Sequence, residues 1–352
     1  MNIEERVVEL GGRISQADVN AQHEASRRQN RLTKPAGSLG RLEELSVQLA
    51  GIAGTCPPPV PTRPAVVVAV GDHGVLAQGV SPWPREVTAL MVASFCSGRA
   101  AVNALAEIVG AHVTVLDVGV AAELPGHPRL RRVKVRSGTE DLTERPAMTR
   151  NEAARALLAG AGVAEELIAA AVDLLVVGDM GIGNSTPASC LIAAFTGSRP
   201  EDVTGRGTGI DDATWEIKVK VVERALTRHR LDPGDPLGVL AAVGGLEHAA
   251  ITGLILGGAA ARVPVVLDGV STNAAALAAR AIAPGAVDYL IAGHRSVEPG
   301  ASAALARLGL DPLLDLSMRL GEGTGGLLVI PLIRSAAAVL GEMSTFEEAG
   351  IR

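Results

Sequence analysis

Six short β-branched runs, set apart by alanine- and leucine-rich stretches of helical length, restrict the fold of this chain more than any other feature. The runs occupy residues 65–70 (AVVVAV), 112–118 (HVTVLDV), 132–135 (RVKV), 174–177 (LLVV), 263–267 (VPVVL) and 287–291 (VDYLI). Most are apolar along their length and do not alternate, as strands buried on both faces do. Between them, 84–109, 150–170, 212–228 and 239–261 are long enough for crossover helices. This alternation predicts an α/β fold: a doubly wound, mainly parallel six-stranded sheet with helices on both faces. A chain of 352 residues is long enough to bury such a sheet. Its 47% hydrophobic content includes only 2% aromatic residues, so the core must be built from Ala, Val, Leu and Ile. The 41 glycines and 20 prolines are scattered, which favours many tight turns over a disordered tract.

The two ends differ from the middle. Residues 3–53 and 327–349 show helical periodicity without strand signals, and the proline run CPPPVP at 56–61 would end a helix and stiffen a linker. The expected organisation is a small helical subdomain from 1–56 and 327–352 around a Rossmann-like α/β catalytic domain at 57–326. A net charge of −6 and a pI near 5.7 argue against a nucleic-acid or anionic-membrane surface. The longest apolar run, 249–261, is broken by Thr252 and glycines and is short for a membrane span; the opening MNIEERVVEL lacks the apolar centre of a signal peptide. A cytoplasmic protein is expected. Cys56, Cys96 and Cys190 show no CxxC spacing and read as reduced thiols.

Ligands of open α/β sheets bind beyond the carboxyl ends of the strands, so the residues after each run matter most. These are GDHG at 71–74, DVG at 117–119, RSGT at 136–139, GDMGIGNST at 178–186, Asp268-Gly269, and Gly293-His294-Arg295. The fourth is the strongest signal. A glycine-rich turn leads into Ser185, Thr186 and Pro187, a proline suited to a first helical turn, so exposed amides and two hydroxyls would face an anion such as phosphate. Close packing alone would also account for the glycines. A second turn, GRGTGI at 205–210, could add amides, and Lys218 on the following helix a positive charge. There is no Walker A lysine, GxGxxG fingerprint, GxSxG elbow or HExxH spacing, which leaves ATPase, dinucleotide-dependent oxidoreductase, serine hydrolase and metalloenzyme chemistry without support, and no metal or cofactor is expected. Glu322 stands alone in GEGTGG at 321–326: either a solvated residue in a flexible turn or a base positioned on bare backbone. His73 has no assigned role, and His294-Arg295 fits a helix-start ion cluster as well as a ligand contact.

Taken in order, LTKPAGSLGRLE at 32–43, GDHGV at 71–75, GVSPWPREVTALMV at 79–92, PAMTRNEA at 146–153, GDMGIGNSTPAS at 178–189, GRGTGIDD at 205–212, VPVVLDGVSTNAAAL at 263–277, GHRSVEPG at 293–300 and LLDLSMRLGEGTGG at 313–326 resemble the nicotinate-nucleotide–dimethylbenzimidazole phosphoribosyltransferases. The resemblance runs nearly end to end. It implies a homodimer that makes the lower-ligand nucleotide of cobalamin from two small molecules, nicotinate mononucleotide and 5,6-dimethylbenzimidazole, with no cofactor. The glutamate of its RLGEGTG motif, here Glu322 beside Leu320 and Gly321, is the base. The 5′-phosphate is expected on Gly181, Ile182, Gly183, Asn184, Ser185 and Thr186, after Asp179 and Met180. Gly207, Thr208 and Gly209 form a further ligand-contacting turn, with Lys218 nearby and Ser81 in the pocket for the attacking base. Two positions depart from the family pattern: Asp179 is one methylene shorter than the usual glutamate, and Leu90 replaces a frequent glutamine, which bears on the choice of base. A non-catalytic binding protein on the same fold is the alternative, but holding a neutral base does not require the Glu322 carboxylate.

Overall fold

The computed structural model describes residues 2–351, which leaves Met1 and Arg352 at the ends of the expected helical unit outside it. Its centre is a six-stranded sheet made of β1 (Pro64–Gly71), β2 (His112–Gly119), β3 (Leu130–Arg132), β4 (Leu174–Met180), β5 (Val265–Leu267) and β6 (Leu290–Ala292), in the order β3-β2-β1-β4-β5-β6. Every pairing is parallel. The strand order reverses between β1 and β4, and at such a switch point the loops beyond the two strands part to leave a crevice.

Burial on both faces explains the apolar runs. Ala65, Val67, Ala69, Leu175 and Val177 face one core, with helices Arg150–Ala169, Ser185–Thr196, Leu246–Ala260 and Val270–Ile282. Val66, Val68, Val70, Leu174 and Val176 face the other, with Glu86–Ser97, Ala101–Val109 and Ile330–Glu342. Period-two alternation therefore exists in space although both sets are apolar.

Four strands start or stop elsewhere than the sequence suggests: β4 runs on through the expected turn to Met180, β5 begins at Val265 and not at 263, and β3 and β6 are displaced. β3 covers Leu130–Arg132, where 132–135 was expected; the Val133 and Val135 amides still donate to Asp117 and Val118 of β2, at 3.0 and 2.9 Å, but outside the regular ladder. β6 begins at Leu290 because 287–289 belong to a 3₁₀ turn, Pro284–Tyr289, that proline opens. Two expected helices are each divided: 84–109 at Gly98, and 239–261 at the Gly244-Gly245 pair, which separates Pro236–Val243 from Leu246–Ala260.

At the ends, helices Val19–Gln29, Arg41–Ala53 and Ile330–Glu342 pack together over a small core that includes Ala25, Ala50 and Leu340. The first helix, Ile3–Gly12, lies instead on Arg150–Ala169 and puts Val7 and Leu10 into the larger core. By length and composition alone, 86–109 and 324–342 are apolar enough to cross a membrane. In the fold the first is broken at Gly98, and the second buries Leu327, Ile330, Ile333 and Ala337 against the sheet.

Candidate active site

Beyond the ends of β4, β5 and β6 the loops enclose a cleft of about 740 Å³. Its floor comes from two glycine-rich segments that lie across one another. The first continues β4. A side chain on Gly181 would bring its Cβ to 2.1 Å from the Gly71 carbonyl of β1, so only glycine lets the chain turn there. The Ile182 amide is taken by Thr88 Oγ1 at 3.1 Å, and the Asn184 side-chain amide donates to Asp179 Oδ2 at 2.5 Å. Helix Ser185–Thr196 then begins, with its amino end and the Ser185 hydroxyl at the cleft. Lys218 Nζ donates to Ser185 Oγ and to the Gly205 carbonyl, both at 2.9 Å. Burial pulls its ammonium down to about 8, although the nearby Glu298 opposes this. Glu298 in turn accepts the Gly207 amide at 2.8 Å, which fixes the 205–209 turn.

The second segment carries Glu322. Gly321, Glu322 and Gly323 have φ values of 85°, 63° and 84°, three consecutive left-handed residues of which only the middle one has a side chain. A non-glycine residue persists there only when its surroundings over-determine it. Here they do. Asp268, at the end of β5, accepts the amides of Gly323 (3.0 Å), Gly325 (2.7 Å) and Gly326 (3.3 Å), and the Glu322 amide donates to the Asp179 carbonyl at 3.3 Å. The loop lies directly on β4: a Cβ on Gly178 would fall 2.4 Å from the Gly323 nitrogen.

The electrostatics suit proton transfer. Glu322 is only 4% exposed, and its Oε2 has no hydrogen-bond partner among the described residues. Burial first, then the charges of Asp268 and Asp179, push its carboxyl up to about 7; the Val102 amide pulls the other way. Asp179 is pushed up to about 6 by burial, with His248 and Ser271 opposing. Glu322 therefore borders the cleft with a carboxyl poised near neutrality, one of whose oxygens is enclosed without a hydrogen-bond partner among the described residues, opposite a cradle of amides and one lysine. That combination can strip a proton from a nitrogen base while an anion is held in the same cleft.

Most of the residues expected from sequence meet here: Ser81, Asp179, Met180, Gly181, Ile182, Gly183, Asn184, Ser185, Gly207, Thr208, Lys218, Leu320, Gly321 and Glu322 all line the cleft. Three do not. Thr186 is enclosed in the first turn of its helix, Gly209 is exposed on its turn near Arg319, and Leu90 is 67% exposed on helix Glu86–Ser97. The same helix turns Val87 and Met91 into the cleft, so the apolar wall for an aromatic ring comes from these two and from Trp83. Their i, i+4 spacing, close after Ser81, is a signal the sequence did contain. Arg206 and Arg319 at the mouth, and Asp268 beneath the Glu322 loop, carry no comparable local pattern. No group of three or more His, Cys, Asp or Glu among the described residues is arranged to hold a metal ion.

The comparisons with known proteins agree with this geometry. A family profile described as phosphoribosyltransferase matches residues 14–351. A nicotinate-nucleotide–dimethylbenzimidazole phosphoribosyltransferase of Salinispora tropica is 57% identical over 352 residues, covering 96% of this chain and 97% of the relative. One from Deinococcus radiodurans is 51% identical and covers 98% and 95%. The crystal structure of CobT from Thermus thermophilus superposes with a TM-score of 0.92 at 51% identity, covering 95% of this chain and 99% of that one. With the profile spanning nearly its whole length, and relatives above half identity at full coverage, the chain belongs to the phosphoribosyltransferase family that includes the nicotinate-nucleotide–dimethylbenzimidazole enzymes.

Proposed function

We propose that this chain transfers the 5-phosphoribosyl group of nicotinate mononucleotide to 5,6-dimethylbenzimidazole or a closely related base, giving α-ribazole 5′-phosphate and nicotinate for cobalamin synthesis. The observation that carries this is Glu322: a nearly buried carboxylate with a free oxygen, pushed up to about 7, inside a cleft floored by glycine amides.

The chemistry needs little else. Nicotinate leaves as a neutral pyridine nitrogen, so the breaking bond to C1′ requires no acid. Benzimidazole is a weak nucleophile, and its N–H proton must depart as its other nitrogen attacks. Glu322 accepts that proton within the cleft, the new C–N bond forms on the opposite face of the ribose, and the β linkage is inverted to α. The 181–185 turn and Lys218 hold the 5′-phosphate, which fixes C1′ relative to the base and converts an encounter of two molecules into a positioned attack. Val87, Met91 and Trp83 offer the flat apolar wall an aromatic base needs.

The test is product analysis after mixing the purified protein with both substrates. The α-linked nucleotide should form, and Glu322→Gln should slow turnover by about 10²- to 10⁴-fold, the range of a lost general base. Wild-type turnover in that variant removes Glu322 from the mechanism; substrate binding without product would leave a binding protein. Activity should rise with pH through about 7, since only the ionised carboxylate can take the proton.

A further inference from the structure

Lys218, Arg206 and Arg319 all border the cleft, and they differ in what already occupies their charge. Lys218 is buried, gives donors to Ser185 Oγ and the Gly205 carbonyl, both at 2.9 Å, and feels the opposing charge of Glu298. Arg206 is turned to Asp212 and, at 3.0 Å, to the Ile210 carbonyl, with its guanidinium 5.9 Å from the centre of the Trp215 ring. Arg319 is less committed. It is exposed, its Nη1 donates to the Gly207 carbonyl at 2.9 Å, and it has no carboxylate within ion-pairing distance among the described residues. Gly207 is where this guanidinium meets the anion cradle. A Cβ on Gly207 would fall 3.1 Å from Ser185 Oγ and 3.6 Å from Lys218 Nζ, and one on Gly209 would fall 3.7 Å from Arg319 Nη2. With its amide held by Glu298 at 2.8 Å and its carbonyl by Arg319, Gly207 is fixed from both sides. The backbone that carries Arg319 is fixed as well: the Val297 amide donates to the Met318 carbonyl at 3.2 Å, and Ser317 takes a left-handed φ of 55°.

We propose that Arg319 is a specificity-determining residue for the 5′-phosphate of the nucleotide: the Gly207 carbonyl orients its guanidinium, and its remaining N–H donors close on the phosphate from the mouth of the cleft. This rests on the phosphoribosyl-transfer reading above. Charge balance supports it. A phosphate monoester carries about −1.5 to −2 charges at pH 7, and Lys218, itself faced by Glu298, cannot offset that alone. A guanidinium presents a planar fork of N–H donors, so one bond to a carbonyl leaves others free for phosphate oxygens. Position favours the phosphate over the nicotinate carboxylate, the other anionic group of that substrate, because the residue Arg319 holds is the one beside Ser185 and Lys218. Arg319 also stands three residues before Glu322, so one short segment would meet the phosphate and supply the base.

Binding tests this without turnover. Dissociation constants are measured for the wild type, Arg319→Gln and Arg319→Lys, by calorimetry or, for the weakest ligands, by ligand-observed NMR. The probes are nicotinate mononucleotide, which carries both anionic groups, nicotinamide mononucleotide, which carries the phosphate alone, and nicotinate riboside, which carries the carboxylate alone. 5,6-Dimethylbenzimidazole, with neither, is the control. Arg319→Gln should weaken both nucleotides by about 10- to 100-fold, the loss of a charge-assisted contact, and change the riboside and the benzimidazole by less than about twofold. Arg319→Lys keeps the charge without the fork and should recover part of the loss. Losses shared by all four ligands would reduce Arg319 to a brace for the 205–209 turn. Losses confined to the two nicotinates would move it to the carboxylate, and unchanged nucleotide affinity would remove it from the site; each of these overturns the proposal. Arg319 is exposed, so both variants should melt like the wild type, and Arg319→Lys carries the comparison if Arg319→Gln does not fold. Nucleotide binding without α-linked product would overturn the reaction, while the same affinities still judge Arg319.

Discussion

A carboxylate such as Glu322 is tuned by what the chain leaves out around it. In a run of glycines the expectation from sequence was split between a solvated turn and a base, and nothing local could choose, because burial is a tertiary property. In the fold the left-handed backbone of Glu322 is held by Asp268 and Asp179, the same two groups whose charges raise its proton affinity. This has a cost to stability with a definite sign. The folded-state value, about 7, lies above the ordinary 4.5, so between these the folded protein keeps a proton that the unfolded chain has released. Stability contributed at low pH is therefore lost as pH rises through that window, on the order of 3 kcal/mol by pH 8. Glu322→Gln should be as stable as the wild type near pH 4 and more stable at pH 8 by a similar amount, as denaturant melts at the two pH values would show. Equal stability at both would mean the carboxylate is not strained by its surroundings.

Between elements, the contact that matters is a crossing of two backbones. Gly178 belongs to β4 and not to the turn after it, and its missing side chain is what lets the Glu322 loop rest on the strand. Gly178→Ala would place a methyl 2.4 Å from the Gly323 nitrogen and 2.5 Å from the Glu322 carbonyl carbon. Displacing the base should lower kcat by about 10²-fold. The fold should lose only ~1–3 kcal/mol, as for other overpacking changes. Turnover falling no further than stability explains would refute the crossing as a functional contact. Strand-end chemistry was legible element by element: the 178–186 and 205–210 turns, Lys218 and Glu322 were each visible, because glycine clusters and polar residues after apolar runs are local signals. That one glycine-rich segment crosses the other was not, since 178 and 323 are far apart in sequence. Leu90 shows the converse, a motif position whose side chain the helix turns away from the cleft, leaving Val87 and Met91 to face it.

On the scale of the whole molecule, fold class and strand count were readable because β-branched runs bounded by glycine leave few other architectures. The ends of β3 and β6, and the breaks at Gly98 and Gly244, depended on ladder register and on single residues that end helices. Subunit association belongs to this scale as well. Trp83, Leu90 and Ile108 stand exposed within residues 83–108, large apolar side chains of the kind a second copy would cover. We propose, as the family resemblance implies, that the chain forms a homodimer: light scattering is expected to give twice the 35.9 kDa chain mass, and a monomer at micromolar concentration would refute it. The division of labour in the cleft has an evolutionary consequence. The base sits on a backbone loop anchored to β4 and β5, and the anion cradle is largely backbone amides with Lys218 beside them, whereas the wall that meets the incoming ring consists of ordinary side chains at the mouth. Substitutions at Trp83, Val87 or Met91 can therefore shift which aromatic rings are accepted while the bond-making apparatus is inherited unchanged, so that a lineage can change the cobamide it makes without having to reinvent the reaction.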